Sequence, residues 1–179
     1  YIGWKDEYAR AGFGERQGRY AREGGVSAVY TPGMLLNGKV WRDWSRGRLP
    51  KTGNLNAGEL TLAVDDDQIK IRFSPPESSQ QTLVVNIAWL GFDLKSDVLA
   101  GENRGRRLAN DFVVLDLTEL ALRREPGVYI ARLNQTRPLS DAPRMAIVAW
   151  VASATSLTPL QAVGGWLPDA PGFAVTTGP

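Results

Sequence analysis

The sequence contains neither cysteine nor histidine, and these two absences exclude several kinds of chemistry. A chain without thiols cannot form a disulfide, a thiolate nucleophile or a zinc–thiolate site. A chain without imidazoles supplies neither a histidine general base nor a Ser-His-Asp triad. We therefore predict no catalytic residue, no metal site and no cofactor site within these 179 residues.

Long apolar runs are missing as well, since no stretch approaches the roughly 20 residues that a membrane-spanning helix needs. The chain opens with neither a methionine nor the basic and apolar pattern of a signal peptide, so either processing removed the original N-terminus or the sequence is incomplete. We expect the second, because the first residues already resemble the middle of a domain. The net charge is +2, and ten basic against five acidic residues fall within residues 1–51. This excess is too small to predict a nucleic-acid partner, and we predict no membrane span.

The first part of the chain carries a helical pattern followed by a tight-turn signal. Apolar and aromatic residues recur at helical intervals and predict a helix through residues 15–23, which docks through Phe13 and Tyr20. A pair of glycines follows and ends this helix. Asn37-Gly38 is the strongest short-range signal for a β-hairpin. The predicted order is therefore helix, loop, strand, turn and strand.

From residue 57 onward the apolar period changes to two, which is typical of β-strands with one wet face. The predicted strands cover residues 60–64, 69–73, 82–90, 111–117, 127–133, 144–152 and 159–167. Short strands without helices between them indicate an antiparallel β-sandwich. Residues 117–124 form either a short helix or a loop, and we expect Trp89 and Trp150 in the core. The segment after Pro168 is expected to be ordered only by docking.

The segment Tyr30-Thr31-Pro32 is the first candidate site. A proline that enters a short strand can hold a cis peptide bond, and in thioredoxin-like domains such a proline lies beside the redox motif. An ordinary trans bond is the more frequent arrangement, because only about 5–6% of X–Pro bonds are cis. The sequence therefore predicts a candidate cis-proline loop and leaves its isomer open.

Two further groups of residues are candidates for binding. Residues 101–107 contain three arginines and two glycines, which fits a phosphate-binding nest but is more typical of a solvated loop between strands. Arg104 and Arg106 of this loop are candidate binding residues. Trp4 lies in the basic first segment and is a candidate either for an aromatic binding surface or for the interface between the two parts of the chain.

Six short segments follow one another in the order and approximate spacing of a known family. They are residues 3–6 (GWKD), 16–21 (RQGRYA), 29–32 (VYTP), 37–38 (NG), 101–106 (GENRGR) and 111–114 (DFVV). Together they resemble the domain-of-unknown-function family 1223. The resemblance implies an exported or periplasmic bacterial protein with a thioredoxin-like N-terminal domain and a β-rich C-terminal domain. It also implies a CxxC-type motif before Tyr1, which Thr31-Pro32 would face as the cis-proline loop.

The combined prediction is an α+β chain with an incomplete thioredoxin-like α/β domain followed by an antiparallel β-sandwich. The predicted boundaries are 1–50 for the first part, 51–170 for the sandwich and 171–179 for a tail. Two functions stay open. The parent protein is either an exported thiol–disulfide oxidoreductase or a non-catalytic binding or scaffolding protein that engages a protein or peptide partner. The redox hypothesis concerns the parent protein, because a thiolate is needed and this chain has none.

Overall fold

The computed structural model describes residues 8–23, 33–48, 50, 56–65, 67–77, 80–101, 104–168 and 172–177. These residues form an α+β structure in which antiparallel strands predominate and a single α-helix lies near the start. The elements are α1 Ala11–Arg22, β1 Leu35–Leu36, β2 Lys39–Val40, a 3-10 helix Asp43–Arg46, β3 Glu59–Asp65, β4 Gln68–Ser74, β5 Leu83–Phe92, β6 Leu94–Asp97, β7 Arg107–Asn110, β8 Val113–Ala121, β9 Arg123–Glu125, β10 Val128–Asn134, β11 Arg144–Ser153, β12 Pro159–Trp166 and β13 Phe173–Thr176.

The predicted helix and the first hairpin are both present. α1 begins four residues earlier than the predicted helix, at Ala11, and ends at Arg22. β1 and β2 pair across Asn37 and Gly38, whose φ angles of 49° and 76° are those of a two-residue turn with both central residues left-handed. The turn signal therefore identified the hairpin correctly.

Two antiparallel sheets share one core. The order of strands is β13-β3-β4-β10-β9 in the five-stranded sheet and β12-β11-β5-β8 in the four-stranded sheet. Side chains alternate between the faces of a strand, so every second residue of the central strands points into the core. The buried cluster draws on both sheets and includes Leu60, Leu62, Ile69, Ile71, Phe73, Val85, Ile87, Trp89, Ile147, Ala149 and Val151. The prediction that Trp89 lies in the core is confirmed.

Two predictions about the β-rich part were wrong. Residues 117–124 are neither helix nor loop, because residues 117–121 belong to β8 and pair with β5. Trp150 is half-buried and lies on the face of β11 opposite to Ile147, Ala149 and Val151, which point into the core. We call this opposite face of the four-stranded sheet its outer face.

The segment after Pro168 contributes a strand. β13 pairs with β3, and the Thr177 N–H donates to the Leu60 carbonyl oxygen at 3.0 Å. The aromatic ring of Phe173 lies so close to Gly165 that a Cβ atom there would sit 2.8 Å from it. The end of the described chain is thus ordered by docking, as a strand at the edge of the five-stranded sheet.

β5 and β8 continue into a second strand pair after a bend. β6 and β7 form a two-stranded ribbon that we call the arm, residues 94–110. Asp93 joins β5 to β6 at a φ of 57°, and Phe112 precedes β8 at a φ of 58°. Two left-handed residues interrupt the pairing of β5 with β8, so the arm forms a two-stranded sheet of its own, and its first residue, Leu94, still belongs to the buried core. The Asp93 N–H donates to Asp111 Oδ1 at 2.9 Å across the bend.

α1 crosses the outer face of the four-stranded sheet and is held there by polar contacts. Arg16 Nη1 donates to Asn86 Oδ1 at 3.0 Å, and Asn86 is only 2% exposed. The Arg16 guanidinium carbon lies 5.2 Å from the ring centroid of Trp150 and 5.5 Å from that of Tyr20. Glu23 Oε2 accepts a bond from the Leu157 N–H at 2.9 Å. Since no residue of α1 is buried, these contacts replace an apolar helix face.

Replacing Arg16 with alanine is expected to destabilise the protein by about 2 kcal/mol, because the buried Asn86 carbonyl loses its donor and Trp150 loses a cation–π contact. The matched control is Arg19→Ala on the same helix, since Arg19 pairs with Glu119 at 3.8 Å and the two side chains are 39% and 42% exposed. That exposed pair is expected to contribute less than about 0.5 kcal/mol. Urea unfolding measures both values, and equal losses would contradict the anchoring role of Arg16.

The glycines at positive φ allow a second test of the fold. Gly58 has a φ of 84°, and a Cβ added there would lie 2.4 Å from the Ser74 carbonyl oxygen. Gly127 has a φ of 73°, but nothing lies within 4 Å of its added Cβ. We expect Gly127→Ala to cost about 1 kcal/mol from backbone strain alone. Gly58→Ala adds a backbone clash, so its cost in thermal unfolding is expected to be about 3 kcal/mol. A Gly58 variant as stable as the Gly127 variant would refute this packing.

Candidate binding surface

The outer face of the four-stranded sheet ends in three aromatic rings and one guanidinium group. We call Phe92, Phe112, Arg144 and Trp166 the aromatic cluster. The Phe92 ring is buried at its centre, with its centroid 4.7 Å from that of Phe112 and 4.3 Å from that of Trp166. The Arg144 guanidinium carbon lies 4.8 Å from the Trp166 ring centroid. Strand register produces this grouping, because Arg144 faces Phe92 across the β11–β5 pair and Trp166 faces the next outward residue of β11.

Phe112 is the unusual member of the aromatic cluster. Its backbone is left-handed, a conformation that costs a non-glycine residue about 1–2 kcal/mol and is rare for a bulky one. Its side chain is 70% exposed, so burial recovers only part of that cost. Trp166 is 51% exposed beside it. A strained residue that presents an aromatic ring to solvent is a feature found at functional sites more often than in ordinary loops.

Charged side chains border the aromatic cluster. Arg144 Nε donates to Asp93 Oδ2 at 3.1 Å, which ties the guanidinium to the bend. The two Nη groups of Arg144 donate to no residue in the described ranges. Asp111 uses its Oδ1 atom to hold the bend and lies directly before Phe112. We call Arg144, Asp93 and Asp111 the rim of the aromatic cluster. The rim therefore offers guanidinium donors from Arg144 and carboxylate acceptors from the two aspartates.

The tip of the arm, the loop between β6 and β7, contains Arg104 and Arg106, which are the candidate binding residues predicted from the sequence. Arg104 and Arg106 are both exposed, and their side chains form no hydrogen bond or ion pair with any described residue. The backbone N–H of Arg104 donates to the Gly101 carbonyl oxygen at 3.1 Å, and that of Gly105 donates to Val98 at 2.8 Å. These two N–H groups close the turn, so they do not converge on an anion as a nest would require. Among the described residues of this loop, the Arg104 and Arg106 side chains therefore remain available as hydrogen-bond donors.

A cleft of about 480 Å³ extends from the bend toward α1. Asp111 and Val113, the two neighbours of Phe112, line it together with Phe13 of α1. A second cleft, of about 380 Å³, lies beyond it and shares Tyr8 and Val114 with the first. The first cleft thus lies beside the chain neighbours of Phe112, and both clefts are lined by polar as well as apolar residues.

Several candidate residues fall outside the described ranges. Tyr30, Thr31, Pro32 and Trp4 are among them, so the predicted cis-proline loop and the Trp4 surface remain predictions. Among the other tryptophans of the basic first segment, Trp44 is described and is 37% exposed on the 3-10 helix.

The aromatic cluster itself was not found from the sequence as one site. Trp166 carried a weak signal, since the sequence has only six tryptophans and this one stands near the end of a predicted strand. Phe112 carried none, because phenylalanine does not indicate a left-handed backbone as glycine or asparagine would.

The aromatic cluster and the charged groups beside it are suited to non-covalent contacts. Within the described ranges no three Asp, Glu, His or Cys side chains are grouped as metal ligands. Aromatic faces, a guanidinium group and carboxylates support stacking, ion pairing and hydrogen bonding. Among the helical residues that the structure describes, no helix is both long enough and apolar enough to cross a bilayer.

Comparison with known proteins identifies the family. Neither the curated proteins nor the solved structures contain a match to this chain. A family model described as "Protein of unknown function (DUF1223)" matches residues 1–152, which include α1, the bend and Phe112. This match confirms the resemblance that the six short segments indicated. The chain therefore belongs to the DUF1223 family.

Proposed function

We propose that this chain is a non-catalytic binding module that engages a protein or peptide partner through the aromatic cluster. Phe112 is the main evidence for this proposal. Its ring is exposed to solvent, and its left-handed backbone conformation lowers the stability of the fold. Trp166 and Arg144 lie beside it, and tryptophan and arginine are enriched among the residues that dominate binding energy at protein interfaces.

A β-sandwich is the fold we propose for the two sheets. The shared buried cluster and the antiparallel order of both sheets support it. In a sandwich the sheets stay rigid, so the aromatic cluster would be presented with little loss of entropy when a partner binds. We propose a first part over residues 1–50 and a sandwich from residue 51 to 170, to which residues 171–179, expected from the sequence as a tail, add β13. We propose an exported location on the strength of family membership.

Phe112→Gly is the most informative variant for testing the binding role. Glycine removes the ring and accepts the positive φ, so the free energy of unfolding is expected to change by less than about 1 kcal/mol. Peptides are first selected by display against the natural protein. Both Phe112→Gly and Trp166→Ala are expected to bind these peptides at least about tenfold more weakly than the natural protein does. Fluorescence anisotropy with the selected peptides measures the affinities.

Trp44→Ala is the matched control for these variants, since Trp44 is also an exposed tryptophan but lies outside the aromatic cluster. Its affinity for the selected peptides is expected to equal that of the natural protein. The proposal fails if display enriches no peptide, or if the enriched peptides bind Phe112→Gly as tightly as the natural protein.

A second proposal concerns the full-length protein. We propose that it is a thiol–disulfide oxidoreductase with a thioredoxin-like domain whose cysteines lie before Tyr1. The order of α1, the Thr31-Pro32 segment and the β1–β2 hairpin supports this, because it is the order expected at the end of such a domain. The binding module would then deliver or hold the disulfide substrate.

Insulin reduction by the full-length protein tests the redox proposal. Replacing each upstream cysteine with serine is expected to reduce turnover to background, because the thiolate is the attacking group. The Gly127→Ala protein is expected to keep its activity on insulin, since Gly127 contributes neither a thiol nor a side chain to the aromatic cluster. Turnover that survives without the cysteines would end this proposal.

A further inference from the structure

We propose that the partner recognised at the aromatic cluster is an acidic peptide segment: one aromatic or aliphatic side chain against Phe112 and Trp166, and carboxylates bound by Arg144, Arg104 and Arg106. This inference rests on the proposed binding function and specifies its ligand. It follows from three guanidinium groups whose Nη donors meet no described residue and from the short chain distance between Arg106 and Phe112.

Arg144 is positioned for a carboxylate next to the aromatic anchor. Its Nε bond to Asp93 and its stacking on Trp166 fix the plane of the guanidinium. A fixed guanidinium with free Nη groups can bind a carboxylate at low entropic cost. An acidic residue next to the apolar anchor of a peptide would therefore meet a donor that is already oriented.

The arm supplies the remaining positive charge. Residues 94–110 contain four basic and two acidic side chains. One of the acidic residues, Asp97, already pairs with Arg107 at 3.8 Å. Arg104 and Arg106 are left to face solvent at the tip. The arm, with four basic and two acidic side chains, therefore favours acidic side chains at its tip. Asp93 and Asp111 at the bend instead favour the apolar anchor and the backbone N–H groups of the same partner.

The geometry of the arm sets the length of the partner segment. Arg106 precedes Asn110 by four residues, or about 13 Å at 3.3 Å per strand residue. Phe112 lies two residues beyond, so the tip and the aromatic cluster are within about 20 Å of each other. An extended peptide of about six to eight residues spans that distance.

A peptide fits the surface better than a nucleic acid does. Asp93 and Asp111 lie within the rim of the aromatic cluster, where their carboxylates would repel a phosphate at each nucleotide. A peptide can instead place a backbone N–H near these carboxylates and its acidic side chains near the arginines. The chain also carries a net charge of only +2.

Three labelled peptides test the inference on the full chain. Each carries one phenylalanine, followed by a run of glutamates, of glutamines or of lysines. The glutamate peptide is expected to bind at least about tenfold more tightly than the glutamine peptide, and the lysine peptide more weakly still, because three modest ion pairs add up to that difference. The preference is expected to shrink as salt is added, since the arginines at the tip are exposed.

Reversing the charge of the arm arginines tests whether they cause the preference for the glutamate peptide. The double variant Arg104→Glu and Arg106→Glu is expected to lose most of the glutamate preference but to keep its binding of the glutamine peptide. The matched control is Arg46→Glu with Arg48→Glu, which makes the same charge change in the exposed basic segment near Trp44 and is expected to keep the preference.

The outcomes separate this inference from the function on which it rests. If binding needs Phe112 but shows no preference for glutamates, the proposal of an acidic ligand is wrong and the proposal of a binding module stands. A control pair that weakens binding as much as the arm pair, no detectable binding of the glutamate peptide, or tighter binding of oligothymidine than of any peptide also overturns the proposal of an acidic ligand. Loss of all Phe112-dependent binding removes both proposals.

Discussion

Side chains of the four-stranded sheet point alternately to its core face or to its outer face. This alternation decides which residues pack in the core and which are left to hold α1 and the aromatic cluster. The core face is filled by aliphatic residues and Trp89, which pack with residues of the five-stranded sheet. The outer face receives α1 at one end and the aromatic cluster at the other. Each end uses an arginine against a tryptophan, Arg16 on Trp150 and Arg144 on Trp166. An arginine can cover an aromatic face and keep its charge near water, which an aliphatic side chain cannot do.

The bend at Asp93 and Phe112 shapes the surface that we propose as the binding site. A continuous β5–β8 hairpin would run on as a straight ribbon, and residue 112 would be one more strand position. The two left-handed residues instead redirect the arm and bring Phe112 against Phe92. The bond from the Asp93 N–H to Asp111 and the Arg144–Asp93 pair hold this geometry. The backbone energy spent at Phe112 is thus compensated by neighbouring polar contacts, as is usual where strain persists in a native structure.

Much of the fold could be predicted from the sequence because the period-two pattern is strong and local. β3, β4, β10, β11 and β12 were all anticipated, and Asn37-Gly38 identified its hairpin. Residues 117–124 were assigned wrongly because Leu117, Leu120 and Ala121 also fit a helical spacing, and only pairing with β5 decides between the two. Trp150 was placed on the wrong face because an apolar strand does not reveal which of its faces meets the core. The aromatic cluster could not be predicted, since its members are brought together by strand register and by a backbone conformation that the residue types do not signal.

β13 has a consequence for the solubility of the protein. Its pairing with β3 satisfies backbone groups that would otherwise form an open edge in the five-stranded sheet. Phe173 also covers the backbone at Gly165, where a larger residue would not fit. An uncovered strand of this length attracts the same strand of another molecule, and the result is aggregation. β13 is now the edge strand itself, but it offers four residues in place of the seven of β3, and a shorter edge is a poorer template for such association.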